Sequence, residues 1–361
     1  MTKMKVTVNQ KELHNTLRVM AKVATMKATT KALTCVRLTG RDGKLTITAT
    51  ATDLNLTRTM GCDGDIDVCF FAGIGAALTK PTKPRQPDTV EISVEDESTV
   101  NISVEGMTTN LPAVPVEDFP DTVVDEESEH LSTLGTGKLI EALAYVAPVA
   151  SRDATRPRTN CVALLSGGRV AATDGHRLHT FPVPMTADRE VLIPLPAVKT
   201  LQTLLKEDLF LQMDVFPQLT NRLRVTVGDW RLETKLLETA FPPVDKVVPK
   251  SFDSRVTLEA AQMYRALTRM KGLVKSTGVK LTLNDTVRLE SVDPDFGNAT
   301  IIINHLENTH TGDDLHIGFT LQYMLDAIGK EGVISLELNG SMDPLVVRRE
   351  QSVGVVMPRR I

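Results

Sequence analysis

Apolar residues along the chain recur first at helical spacing and then at strand spacing, and this order is repeated three times. The segments with helical spacing are marked by Leu13, Leu17, Met20 and Ala21, by Leu139, Ile140, Leu143 and Val146, and by Met263, Leu267 and Met270. A second helix is predicted in each copy, within residues 73–80, 196–207 and 321–330. Between the helices, alternating residues such as Val90, Ile92 and Val94 predict antiparallel strands. Each third of the chain is therefore predicted to hold an antiparallel sheet and two helices, an α+β plan.

Short motifs repeat with the same long period. A predicted strand pair ends in an acidic turn at Asp53, at Asp174 and at Asp293. The sequence DFP at residues 118–120 is echoed by AFP at 240–242, each after a run of alternating strands. A period this long indicates duplicated domains rather than a solenoid. We expect three repeated domains, with boundaries in polar stretches: residues 1–128, 129–251 and 252–361.

The composition is that of an ordinary globular protein of 361 residues, 42% hydrophobic and 24% charged. This mix excludes wholesale disorder, and no apolar run is long enough to cross a membrane as a helix. The first residues lead directly into strand-like alternation, without the apolar stretch of a secretory signal. Since the spacing of the four cysteines fits neither a zinc site nor a redox pair, we expect reduced, mostly buried thiols and a cytoplasmic location.

Basic residues are outnumbered, 41 against 45 acidic ones, so a surface for nucleic acid must be local. Cations on the polar faces of the predicted helices are Lys11, Arg18, Lys22, Lys199, Lys206, Arg265 and Arg269. Others, beside predicted helix ends, are Lys27, Lys80, Lys83 and Arg152. Taken singly, each is better explained as part of a solvated helix face. Their recurrence in three copies favours a diffuse positive surface that contacts DNA phosphates without reading bases.

Asp174 and His176 are the residues that invite a catalytic interpretation, because both types act in acid–base chemistry. No third ligand, nucleophile or glycine-rich phosphate loop accompanies them, whereas Asp174-Gly175 suits a tight turn. We therefore expect no enzyme, no metal and no cofactor. A hydrolase built on these two residues remains the rival hypothesis.

Four segments carry a resemblance to a known family. Residues 170–178 (VAATDGHRL) resemble a signature of the bacterial DNA sliding clamps, the beta subunits of DNA polymerase III. Residues 111–120 (LPAVPVEDFP), 241–249 (FPPVDKVVP) and 355–361 (VVMPRRI) resemble clamp segments in the same order. The resemblance extends over essentially the whole length, and it is weakest in the first domain.

The resemblance implies a head-to-tail dimeric ring around double-stranded DNA, in which the first domain of one chain meets the third domain of the other. It also implies a pocket between the second and third domains that binds peptides of the DNA polymerase III catalytic subunit, the clamp loader and other clamp-binding-motif proteins. The residues that would form this pocket are Thr173, Gly175, His176, Arg177, Leu178, Pro242, Lys246, Val247, Tyr323, Met342, Pro344, Val355, Met357, Pro358, Arg359 and Arg360, together with Thr159. Met270 and Lys271 are the implied candidates for the dimer contact.

Two positions depart from the family pattern and make the pocket more polar. Thr159 stands where an apolar residue is common, and Arg359 stands where a methionine or another apolar residue is frequent. These differences concern partner preference. They leave open an accessory or mobile-element clamp, and a DNA-binding scaffold that forms no ring is a further alternative.

Overall fold

A computed structural model describes residues 4–24, 30–82, 89–96, 98–120, 128–185, 189–205, 209–216, 221–273, 278–293 and 297–360. Its elements follow one order three times: a strand and a helix, a group of strands, a second helix, and three strands. This order confirms the α+β class and the threefold repeat predicted from periodicity.

The first copy begins with strand β1 and helix α1. Its elements are β1 (Lys5–Asn9), α1 (Gln10–Val23), β2 (Cys35–Arg41), β3 (Lys44–Ala51), β4 (Leu54–Gly61), β5 (Asp63–Phe71), α2 (Ala72–Leu78), β6 (Thr89–Asp96), β7 (Thr99–Val104) and β8 (Met107–Val114), with 3₁₀ turns at Lys31–Thr34 and Val116–Asp118. The Asn9 side chain accepts a hydrogen bond from the Glu12 backbone N–H, which caps α1 at its amino end.

The second copy repeats the plan and adds a short helix after its last strand. Its elements are β9 (Glu129–Gly135), α3 (Thr136–Val146), β10 (Cys161–Leu165), β11 (Arg169–Thr173), β12 (Arg177–Pro182), β13 (Val191–Pro194), α4 (Leu195–Leu204), β14 (Phe210–Phe216), β15 (Arg222–Val227), β16 (Trp230–Lys235) and α5 (Val244–Val247), with a 3₁₀ turn at Ala147–Val149.

The third copy contains one additional short strand. Its elements are β17 (Ser254–Glu259), α6 (Ala260–Leu273), β18 (Gly278–Leu283), β19 (Val287–Asp293), β20 (Gly297–Ile303), β21 (Glu307–Asn308), β22 (Leu315–Thr320), α7 (Leu321–Ile328), β23 (Val333–Leu338), β24 (Leu345–Arg349) and β25 (Ser352–Val356).

Strand pairing joins consecutive copies in one repeated way. Strand β4 of the first copy pairs with β16 of the second, and β12 of the second pairs with β25 of the third. Each of these two pairings, called a seam below, joins the third strand of one copy's strand group to the last strand of the next copy. The seams create sheets in the order β1-β6-β7-β8-β5-β2-β3-β4-β16-β15-β14-β9 and β13-β10-β11-β12-β25-β24-β23-β17-β21.

The chain divides into two compact units, each built around one seam. Unit 1 comprises residues 1–137 and 196–236, and unit 2 comprises residues 138–195 and 237–361. Each unit thus combines a whole terminal copy with one sheet of the middle copy. Three domains bounded at residues 128 and 251 therefore stay a prediction.

The apolar faces predicted for the first helix of each copy are buried in the cores. Leu13, Leu17 and Met20 of α1 have no exposed surface, whereas Ala21 is half-buried. In unit 2, Met263, Leu267 and Met270 of α6 lie in one cluster with residues of α7. Burial of these faces against sheet and helix supplies the main stabilisation of each helix.

The cysteines are free thiols, as the sequence predicts, and Cys35, Cys69 and Cys161 are buried. Burial raises the pKa of Cys69 and Cys161 to about 12, so both remain protonated. Among the described residues, no helix is both long enough and apolar enough to cross a membrane.

Candidate functional site: a cavity on the second seam

A cavity of about 210 Å³ lies in unit 2, where the β11–β12 turn, the segment around α5 and the C-terminal strand meet. Its lining residues are Thr159, Thr173, Gly175, Arg177, Leu178, Pro242, Val244, Val247, Val355 and Met357. Leu178 and Val355 face each other directly across the seam between β12 and β25. The floor of the cavity is therefore made by the seam itself.

The walls are mainly apolar and differ in how far they are exposed. Val244 is buried, whereas Val247 and Met357 are 37% and 38% exposed at the rim. A flexible thioether at the rim can adjust to side chains of different shape. An apolar socket with a polar rim suits a short peptide with one or two apolar anchors.

The turn between β11 and β12 is shaped by Asp174. One oxygen of its carboxylate accepts hydrogen bonds from the backbone N–H groups of His176 and Arg177, at 2.9 and 3.1 Å. Gly175 follows with φ of +92°, a conformation that residues with a Cβ rarely adopt. Asp174 and Gly175 therefore form the tight turn that presents Arg177 and Leu178 to the cavity.

Arg177 is held on several sides, and its side chain is only 10% exposed. Its Nε donates to Asp174 at 2.9 Å, and one terminal nitrogen donates to Asp326 of α7. The other donates to the carbonyl of Pro148, and the guanidinium lies 4.3 Å from the ring centroid of Tyr323. Two carboxylates thus compensate the charge of Arg177, which acts as a wall of the cavity rather than a free cation.

The C-terminal segment is fixed beside the cavity by backbone hydrogen bonds. The N–H of Met357 donates to the carbonyl of His176 at 2.9 Å, and the N–H of Arg359 donates to the carbonyl of Gly318 at 2.8 Å. These bonds place the Met357 side chain at the rim. His176 and Arg359 contribute to the site through their backbones.

Polar residues occupy the corresponding positions of the first seam. Counted from the hairpin before each last strand, Glu233 corresponds to Val355, and its partner Asn55 corresponds to Leu178. Asn55 accepts a hydrogen bond from Thr50, and Glu233 forms an ion pair with Arg224. Buried polar groups need hydrogen-bond partners, and these two residues already have them within the first seam. Apolar side chains at both positions make the second seam suitable as a socket.

Comparison with known proteins finds similarity to one group of proteins. Residues 245–360 match the family model described as the C-terminal domain of the DNA polymerase III beta subunit. The beta sliding clamp of Rickettsia bellii is 24% identical to the chain, over 99% of this chain and all of the relative. That of Pseudomonas aeruginosa is 25% identical, over 98% of this chain and 99% of the relative. The chain is thus similar to bacterial beta sliding clamps over almost its whole length.

Solved structures of sliding clamps share the fold of this chain. The crystal structure of the sliding clamp from Bacillus subtilis superposes with a TM-score of 0.89 at 20% identity and covers the whole of both chains. The structure of the Pseudomonas aeruginosa clamp bound to griselimycin gives a TM-score of 0.87 at 23% identity, over 99% of this chain and 100% of that one. The seam-joined copies described above are therefore the beta sliding clamp fold.

The similarity to beta sliding clamps and the contacts of Asp174 both bear on the rival hydrolase hypothesis. Beta sliding clamps are non-enzymatic processivity factors. In this chain, both oxygens of the Asp174 carboxylate are engaged in the turn and in the ion pair with Arg177. Asp174 is a turn-forming residue, which agrees with the interpretation drawn from its spacing.

The structure gathers part of the predicted peptide pocket around one cavity. Thr159, Thr173, Gly175, Arg177, Leu178, Pro242, Val247, Val355 and Met357 all contribute to its lining. Outside this lining are His176, Lys246, Tyr323, Met342, Pro344, Pro358, Arg359 and Arg360. Of these, Tyr323 is linked to the cavity through Arg177. Sequence reasoning missed Val244, although its place between Pro242 and Val247 is a signal that could have included it.

The predicted DNA-facing cations are exposed wherever the structure describes them. Lys11, Arg18 and Lys22 lie on α1, Lys80 follows α2, Arg152 lies in a loop, Lys199 lies on α4, and Arg265 and Arg269 lie on α6. Lys27, Lys83 and Lys206 lie outside the described residues. Exposure is necessary for a phosphate contact, and the DNA-facing role itself stays a prediction.

Of the two candidates for the dimer contact, one is placed in the core. Met270 is 0% exposed and packs in the cluster formed by α6 and α7, so it cannot touch a second chain while that core is intact. Helical periodicity already assigned Met270 to the apolar face, and the structure favours that role. Lys271, the next residue on α6, is exposed.

Proposed function

We propose that this chain is a DNA sliding clamp: two copies close head to tail around double-stranded DNA and tether the replicative polymerase through the cavity on the second seam. The observation that carries the proposal is the repeated seam, because the first and third copies each contain a strand edge that could form a third pairing of the same kind: residues 107–112 of β8 and strand β20. Sequence similarity to beta sliding clamps over almost the full length supports the same function.

The two seams define which strands can join a second chain. In each seam, the third strand of one copy's strand group pairs with the last strand of the next copy. By this rule, β20 of the third copy has no such partner among the described residues, and β8 of the first copy is the matching last strand. The end of β8, at Ala113 and Val114, pairs with β5, whereas its residues 107–112 pair on one side only, with β7. Unpaired strand edges favour pairing with another chain. Joining β20 of each copy to β8 of the other closes a head-to-tail dimer.

The same rule gives a register for the contact between chains. Asn55 opposite Glu233 and Leu178 opposite Val355 occupy equivalent positions in the two seams. The corresponding residues of the third and first copies are Asn298 of β20 and Asn110 of β8, and both are exposed. Ile302 on β20 and Met107 on β8 are 60% and 48% exposed, as apolar residues at an unformed contact would be. The dimer contact proposed here thus replaces Met270 with the edges of β20 and β8.

DNA is held by the closed ring rather than by a tight site. The exposed cations on α1, α4 and α6 would supply a positive lining that attracts phosphate without reading sequence. Since the whole chain carries a net charge of −4, such a lining would be a local feature. A weak, salt-sensitive attraction of this kind permits sliding.

The cavity would bind short peptides of the DNA polymerase III catalytic subunit, the clamp loader and other proteins with clamp-binding motifs. Leu178, Val244 and Val355 would receive an apolar side chain of the peptide, and Met357 would adapt to its shape. Thr159 adds polarity to the lining. An accessory or mobile-element clamp with its own partner preference is compatible with this feature.

Retention on circular DNA tests the ring. After loading by a cognate clamp loader with ATP, the protein should stay on a nicked circular duplex in high salt and escape when the circle is cut once. Equal retention on cut and uncut DNA would contradict encirclement. Light scattering should give the mass of two chains, whereas a stable monomer that shifts DNA in low salt would favour the non-ring scaffold.

Cysteine crosslinking tests the register. With Cys62, the partly exposed native thiol, replaced by serine, the variant N110C/N298C should form a disulfide between two chains under mild oxidation. The matched control N110C/K330C places the second thiol on an exposed residue outside β20 and should form none. A dimer that fails to crosslink in N110C/N298C would refute the register while leaving the ring itself standing.

A further inference from the structure

A continuous path of side-chain hydrogen bonds connects an exposed lysine on α6 with the wall of the cavity. Lys271 Nζ donates to Gln322 Oε1 at 2.6 Å, and Gln322 Nε2 donates to Asp326 Oδ1 at 2.7 Å. The second oxygen of Asp326 accepts from Arg177. The path leads from the surface of α6 over one face of α7 to the cavity, entirely within unit 2.

The geometry of α7 makes this path possible. Gln322 and Asp326 are four residues apart, so they are neighbours on one face of the helix. Tyr323 and Asp326 are three residues apart, so the ring under the guanidinium and the carboxylate beside it also come from adjacent turns. Three residues of α7 therefore act on Arg177 or on the carboxylate that holds it: Gln322, Tyr323 and Asp326.

Asp326 fixes Arg177 in a way that Asp174 cannot replace. Asp174 binds Nε from within the turn that carries Arg177, whereas Asp326 binds a terminal nitrogen from a different element. Asp326 is also only partly exposed, at 23% of its side chain, so its charge is less screened than that of a surface carboxylate. Without Asp326, the guanidinium would keep its local anchor and lose the contact that orients it over Tyr323.

We propose that Asp326 is a positioning residue for the cavity and that, through Gln322, it couples peptide binding to the state of Lys271 on α6. The inference deepens the proposed function and rests on it. A phosphate group or an acidic side chain that draws Lys271 away from Gln322 frees the Gln322 amide, which changes how Asp326 holds Arg177. By thermodynamic linkage, peptide binding then changes the affinity of Lys271 for such an anion by the same factor.

The test is the affinity of the full-length dimer for a fluorescein-labelled synthetic peptide with adjacent leucine and phenylalanine side chains, measured by fluorescence anisotropy. D326N should weaken binding about five- to tenfold, and D326E should restore most of it, because a carboxylate can again reach Arg177. K271Q should change the affinity about two- to fivefold, within the range known for energetic coupling through hydrogen-bonded networks. The matched control K330Q removes an exposed cation just after α7 that lies outside the path, and it should leave the affinity unchanged.

A double-mutant cycle separates positioning from a general loss of structure. In an R177A background, D326N should have almost no further effect on peptide affinity, since the group it positions is absent. Full additivity of D326N and R177A, or equal effects of K271Q and K330Q, would overturn the inference. If the wild-type dimer itself does not bind the peptide, the pocket assignment in the proposed function fails instead, so the two failures are distinguishable.

Discussion

The second seam contains a buried histidine that should make the fold sensitive to acid. His179 lies on β12 opposite Gly354 of β25 and has no exposed surface. Its Nδ1 is 3.0 Å from the carbonyl of Tyr145, and its ring stacks on the Tyr145 ring at a centroid distance of 4.3 Å. Because a carbonyl only accepts, Nδ1 carries the hydrogen and Nε2 is unprotonated. Nε2 has no hydrogen-bond partner among the described residues.

Burial lowers the pKa of His179 from 6.5 to about 3. Between these two values the unfolded chain binds a proton that the folded chain does not bind. Stability therefore rises with pH in this range, and it is lost as the pH falls below about 6.5. Each pH unit corresponds to about 1.4 kcal/mol, so lowering the pH from about 7.5 to about 5 should cost roughly 2 kcal/mol through this residue.

Urea denaturation followed by circular dichroism at both pH values measures this loss. H179Q keeps a donor that can reach the Tyr145 carbonyl, and it cannot titrate. The wild type should therefore lose about 2 kcal/mol more than H179Q on acidification. H176Q, which removes the exposed histidine of the neighbouring turn, should behave like the wild type. Equal losses in the wild type and H179Q would refute the assignment of the acid sensitivity to this buried imidazole.

Three further outcomes are expected. Deletion of Met357 to Ile361 should weaken peptide binding by a few kcal/mol in a calorimetric titration, because it removes the adaptable wall of the cavity; unchanged affinity would contradict the pocket assignment. G354A should destabilise unit 2 by about 1–3 kcal/mol in thermal denaturation, since an added Cβ would lie 2.7 Å from the Tyr145 hydroxyl; an unchanged melting temperature would contradict this packing. D174A should lower peptide affinity, because it removes both the cap of the turn and one anchor of Arg177; retained affinity would show that the turn does not position the cavity.

The spacing of apolar residues predicts the helices and strands of this protein without information about the segments they pack against. Leu13, Leu17 and Met20 repeat at the period of a helix, and such a pattern is stable only with that face buried. The threefold order of elements follows from the same rule applied along the chain. Asp174-Gly175 also indicated a turn, because its geometry is decided within a few residues.

Tertiary structure alone decided which elements meet. Periodicity records that a face or an edge is buried, but the partner is chosen by register between strands far apart in sequence, as in the pairing of Leu178 with Val355. For the same reason, the sequence places Arg177 in the pocket but does not show that Asp326, a residue of α7, compensates its charge. The sequence alone determined the repeated plan and its local turns, whereas only folding brought together the seams, the cavity and the path from Lys271, because these depend on contacts between distant segments.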